Sequence, residues 1–143
     1  MKPEAVPLST HVNQTVIMKV KIDTKEKFHV ITLMEAILSA NIAADLTQLV
    51  TKFLQEEIKN VVLNLNQVDS IDTEAAEELS RLQQQFYEAS ASFVICSIKP
   101  AVEAQLEEMD FLEMMNITPT ESEAWDMVQM EEIERELLDN EEG

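Results

Sequence analysis

Between Ile42 and Ile98 the chain twice leaves a helical period for a short run that is apolar at nearly every position. The first run, Val61-Val62-Leu63-Asn64-Leu65, follows a stripe of Ile42, Leu46, Leu49, Val50, Phe53, Leu54 and Ile58 at steps of three and four. The second, Phe93 through Ile98, follows Ala75, Ala76, Leu79, Leu82 and Phe86 at the same steps. Runs this short suit strands covered on both faces, and a helix of that length between two of them is the crossover that a parallel pair requires.

The flanking segments extend the pattern. Lys19 to Asp23 alternates polar and apolar, and Phe28 to Leu33 is β-branched and aromatic, so the two predict a hairpin, with His29 on the polar side of its second strand. Ser39 or Asn41 caps the first helix, and a second helix is expected over Thr73–Glu88. Pro100 opens a third helix through Met109, and Met115–Thr118 reads as a last edge strand. Thr120 and Glu123 have capping-box spacing for a final helix to about Leu138, whose inner side is read as Ala124, Met127, Val128, Met130, Ile133 and Leu137. The order β-β-α-β-α-β-α-(β)-α predicts an α/β fold, a mixed and mostly parallel sheet covered by helices. Residues 1–17, with two prolines and no period, read as a flexible leader; 18–138 form the domain, and 139–143 an acidic disordered tail.

Composition decides what this fold is not used for. With 28 acidic and 10 basic residues the formal charge is −18, which repels nucleic-acid backbones and anionic lipid. Residues 120–143 alone set ten acids against Arg135, a solvated helix face or an arm for a basic partner. Gly143 is the one glycine, so neither G-x-G-x-x-G nor a P-loop can be written, and no cofactor is expected. His11, His29 and Cys96 cannot make a zinc finger or a disulfide, and Cys96 within a buried run is most simply a core residue. A lone cysteine fits a reducing cytoplasm. The longest uncharged stretch is the fourteen mixed residues between Glu4 and Lys19, too short to span a membrane.

The most informative segment is the end of the first buried run. After it, Asp69, Ser70, Asp72, Thr73 and Glu74 lead into the second helix and place a hydroxyl at its N-terminus, where free N–H groups and the helix dipole favour negative charge. Read from the residues alone, Thr73 is a helix cap worth ~1 kcal/mol, a phosphoacceptor, or both. Asp69 and Asp72 lack a histidine or nucleophile–base pair beside them and read as surface acids.

From Val61 to Thr73 the sequence Val-Val-Leu-Asn-Leu-Asn-x-Val-Asp-x-Ile-Asp-Thr resembles the STAS domain, the fold of bacterial anti-sigma factor antagonists, and the likeness extends over about Met18 to Leu138. The resemblance implies a four- to five-stranded mixed sheet with helices largely on one face. It also implies a non-catalytic regulator that sequesters a kinase-type anti-sigma factor. That kinase phosphorylates the loop and so releases its partner, and a phosphatase reverses the change. Carried over by position, Asp72 matches the family's acid and Thr73 the hydroxyl after it, and Ser70 is the weaker acceptor. In the commonest form two hydroxyl residues and a glycine follow the acid; here Glu74 and Ala75 stand at the last two places, and Ala36 replaces a glycine after the second strand. If the acceptor register is the second position, Glu74 is a built-in carboxylate where phosphate otherwise goes. The alternative is an unphosphorylated STAS accessory or scaffold subunit of a transport or stress-signalling complex.

Overall fold

In a computed structural model, which describes residues 5–7 and 18–142, the two short apolar runs lie side by side at the centre of one sheet. Strands β2 (Lys19–Thr24) and β3 (Phe28–Leu33) form the antiparallel hairpin, closed by the Lys25 N–H donating to the Phe28 carbonyl at 2.8 Å. β3 then pairs in parallel with β5 (Asn60–Asn64), β5 with β7 (Phe93–Cys96), and β7 with β8 (Ile117–Thr118). The connections are α1 (Ala40–Thr51), α2 (Thr73–Glu88) and α3 (Pro100–Glu108), and α4 (Glu121–Glu142) follows β8. A short strand β1 (Ala5–Pro7) adds an antiparallel edge to β2 from inside the expected leader. The rest of that leader lies outside the described residues. At the other end, α4 continues past Leu138, where a disordered tail was expected.

Alternation along the central strands sorts the core into two layers. Val61, Leu63, Phe93 and Ile95 face α1, α2 and α3 in the larger cluster, together with Val20, Ile31 and Leu33. Val62, Val94 and Cys96 face the other way, with Phe28 and Val30, and are covered by Ala124, Trp125 and Val128 of α4. This two-sided cover explains why β5 and β7 read as unbroken apolar runs. The architecture is the α/β class expected, with helices largely on one face. Burial also pushes the Cys96 thiol up to about 11.

Several boundaries differ from the sequence reading, each for a local reason. α1 tightens into a 3₁₀ turn at Lys52–Gln55 instead of running to Ile58. There the Thr51 hydroxyl donates to the Thr47 carbonyl at 2.8 Å, a back-bond that bends helices. The turn carries Phe53 over β3, and this corrects the expectation that the polar side of the strand leaves His29 at the surface. His29 is 5 % exposed, stacks on Phe53 with ring centres 3.8 Å apart, donates from Nε2 to the Ile58 carbonyl and bonds the Thr24 hydroxyl through Nδ1. The second buried run stops at Cys96, because Ser97 takes a left-handed conformation at φ 64. Ser90 and Asp110 do the same just beyond α2 and α3, at φ 60 and 63, where glycine usually stands. In a chain whose one glycine is Gly143, serine and aspartate carry that strain.

The inner side assigned to α4 also needs correction. Ala124 and Val128 are buried and Trp125 stacks on Phe28 at 4.7 Å, but Met130, Ile133 and Leu137 are 63, 55 and 57 % exposed. The helix turns glutamates toward the sheet instead. Glu131 accepts from the Ser92 hydroxyl at 2.6 Å and Glu132 from the Asn60 amide at 2.9 Å.

Candidate functional site

The parallel strands all end on one side of the molecule, and the loop after β5 is built there in steps. Asn64 accepts the Asn66 N–H at 2.9 Å, which turns the chain out of the strand. Val68, fully buried, anchors the loop to the core. The N–H groups of Asp69 and Ser70 donate to the Ala36 carbonyl at 2.7 and 3.3 Å. Ser70–Ile71 (β6) then pairs in parallel with Ile37–Leu38 (β4) as a separate two-stranded ribbon. Gln105 of α3 accepts the Ile71 N–H at 2.9 Å, so the loop is held from three directions.

Asp72 closes this arrangement. One carboxylate oxygen accepts the Ala75 N–H at 2.8 Å and caps α2; the other accepts the Ala40 N–H at 3.2 Å, at the first residue of α1. A single side chain therefore joins two helix starts. Ser39, the better of the two expected caps, accepts the Ile42 N–H at 3.4 Å. The residue reading of Thr73 as the cap is corrected on this evidence: Asp72 is the cap, and Thr73 is the first residue inside the helix. A carboxylate serves the two amides with separate oxygens, whereas a hydroxyl offers one oxygen.

Thr73 and Glu74 follow on the exposed first turn of α2, and Asp69 and Asp72 are exposed as well, with Ser70 half-buried in the ribbon. All five singled-out residues thus lie along one continuous ledge. Asp69 accepts from Lys99 at 2.6 Å, but both side chains are open to solvent, so the pair adds little to stability. Three features of the ledge escape a reading of the sequence. Ile37 stands beside Ser70 with 61 % of its surface exposed, Lys99 supplies a cation, and Gln105 pins the backbone. A two-residue strand has no period, and the other two arrive through tertiary contact alone.

What the ledge offers chemically is a run of exposed acids with an exposed threonine among them. The first amides of a helix have no helical partner, and Asp72 takes only that of Ala75, so negative charge added at Thr73 meets the open start of α2. Asp69, Asp72 and Glu74 oppose it. Among the described residues no group of three or more His, Cys, Asp and Glu could hold a metal ion, and no helix is long and apolar enough to cross a membrane.

Comparison with known proteins agrees with this build. No curated protein matches the sequence. Among solved structures, a candidate anti-sigma factor antagonist from Thermotoga maritima is similar at 23 % identity and TM-score 0.63, over 76 % of this chain and 92 % of that one. An anti-sigma factor antagonist from Mycobacterium paratuberculosis is similar at 13 % identity and TM-score 0.66, over 78 % and 94 %. The murine Solute Carrier 26 family member A9 anion transporter matches at 10 % identity and TM-score 0.63, over 90 % of this chain but 22 % of that one. At such identities these likenesses concern the fold. The sequence model of the STAS domain matches residues 19–124. With the sheet from β2 to β8 and helices α1 to α3 all inside that match, the chain belongs to the STAS domain family.

Proposed function

We propose that this chain is a non-catalytic regulatory module, an anti-sigma factor antagonist that sequesters a kinase-type anti-sigma factor through the ledge from Asp69 to Glu74 and is switched by phosphorylation of Thr73. One observation carries the reading. Thr73 stands exposed on the first turn of α2, directly after the carboxylate that ties α1 to α2. A phosphate there adds about −1.5 to −2 charges beside Asp72 and Glu74. The crowded charge disturbs the contact that the unmodified ledge makes. Removal by a phosphatase restores it. The charge of −18 supports a protein partner over nucleic acid or membrane, and the cytoplasm is where such a switch works.

Incubation with a kinase-type anti-sigma factor and ATP tests this, read by intact mass and peptide mapping. Phosphate is expected on Thr73. Thr73→Ala should lose the modification and keep capture of the kinase, and Thr73→Asp should capture it more weakly. Phosphate on Ser70, or none with a kinase that demonstrably binds, overturns the switch. Replacing Asp72 and Thr73 together by Arg should abolish capture with a native circular dichroism spectrum, and unchanged capture overturns the binding role.

A second reading is an accessory or scaffold STAS subunit of a transport or signalling complex that is never phosphorylated. Glu74 at the second acceptor position favours it.

A further inference from the structure

Helix α4 is assembled with its polarity reversed. Beyond Val128, the face turned to the sheet is polar: Glu131 and Glu132 bond Ser92 and Asn60, and Arg135 donates to the Ser92 hydroxyl at 3.3 Å. The face turned away carries Met130, Ile133 and Leu137 at steps of three and four, each more than half exposed to solvent among the described residues. Helix formation does not require that stripe, and the domain leaves most of its surface to solvent.

Charge narrows what covers it. Acids border the stripe, and Glu123, Asp126 and Glu134 line a shallow hollow with Met127 and Met130. Arg135, the only cation in residues 120–143, is engaged on the sheet side. A second copy of α4 would set carboxylates against carboxylates. An anionic lipid surface is repelled for the same reason. Residues 1–17 offer only Lys2, so the chain's own leader lacks matching charge. The family match ends at residue 124, before the stripe begins.

We propose that the outward face of α4 is a docking surface for a basic amphipathic helix of a partner protein. Apolar residues of that helix lie on Met130, Ile133 and Leu137. Its lysines or arginines run their methylene stems along Met127 and Met130 and place their heads on Glu123, Asp126 and Glu134. This surface is separate from the ledge at Thr73 and goes beyond the switch proposed there.

A labelled helical peptide of leucine and lysine, with leucines gathered on one face, is the probe, read by fluorescence anisotropy against the full chain at physiological salt. The comparison peptide has the same composition with its leucines scattered, which controls for attraction of any polycation to an acidic protein. The gathered peptide should bind roughly tenfold tighter or more. The triple variant Met130→Ser, Ile133→Ser, Leu137→Ser should lose that preference while circular dichroism and melting temperature stay unchanged. Equal binding of the two peptides, or an undiminished preference in the triple variant, overturns the proposal. Two other results overturn the choice of occupant: a dimer in sedimentation that the triple variant abolishes, or tighter peptide binding once residues 1–17 are deleted.

Discussion

Helices α2 and α4 cover opposite faces of one sheet, and each begins at an oxygen-bearing cap. α2 spends 16 residues and buries Ala75, Ala76, Leu79, Leu82 and Phe86; α4 spends 22 and, among the described residues, buries only Ala124 and Val128. The first is held by apolar area removed from water. The second is held by one apolar turn, one aromatic stack and a row of hydrogen bonds that its glutamates accept. An apolar stripe on a helix therefore predicts burial only where a neighbouring surface lies opposite it.

That contrast breaks first at Phe86, which is fully buried and packs against Phe93 with ring centres 5.4 Å apart. Phe86→Ala should cost about 3–5 kcal/mol in urea unfolding. A cost near that of an exposed residue would mean that α2 is no better docked than α4. The two caps come next. Asp72→Ala should cost about 1–2 kcal/mol, because it frees amides of both α1 and α2, and Thr120→Ala about 1 kcal/mol, because the Thr120 hydroxyl accepts a single amide, the Glu123 N–H, at 3.1 Å. Equal losses would show that the link between α1 and α2 carries no weight.

A third comparison uses pH. The Thr47 hydroxyl donates to Glu78 at 2.6 Å and Arg81 donates at 2.7 Å, and together, the hydroxyl first, they hold the Glu78 carboxyl below its ordinary value. A lowered carboxylate stabilises the fold fully above the ordinary range, near 4.5, and that contribution is lost as pH falls through the lowered value. Thr47→Val should cost about 0.5–1.5 kcal/mol at pH 7 and reduce the acid sensitivity of unfolding. An unchanged acid profile would show that this clasp between α1 and α2 is idle. The smallest effect belongs to Ile133→Ser, within about 0.5 kcal/mol of the parent, because more than half of its surface is open to solvent. A loss of 2 kcal/mol or more would place α4 in the same class as α2.

The inward residues of α2 were legible because their spacing and their burial coincide. The run from Val61 to Leu65 was legible for the opposite reason, since cover on both faces erases alternation. His29 misled because a strand's period is silent about a later turn that folds over it. Met130, Ile133 and Leu137 misled because period reports that a face is apolar, not what it meets. Among the ledge residues, Asp69 to Glu74 are neighbours in the chain, so grouping them required no fold. Ile37 and Lys99 reach the same ledge only through β4 and the turn before α3, which no local pattern announces.

Cys96 turns the thinner cover of α4 into something that can be timed. With the thiol at about 11, on the order of one in ten thousand is ionised at pH 7, and the sulfur is sealed beneath Ala124 and Val128. A thiol reagent reaches it only during moments when α4 lifts from the sheet. The labelling rate of the native chain, divided by that of the unfolded chain, then gives the fraction of time the lid stands open, with no denaturant present. The buried sulfur is a clock wound into the weaker face of the molecule.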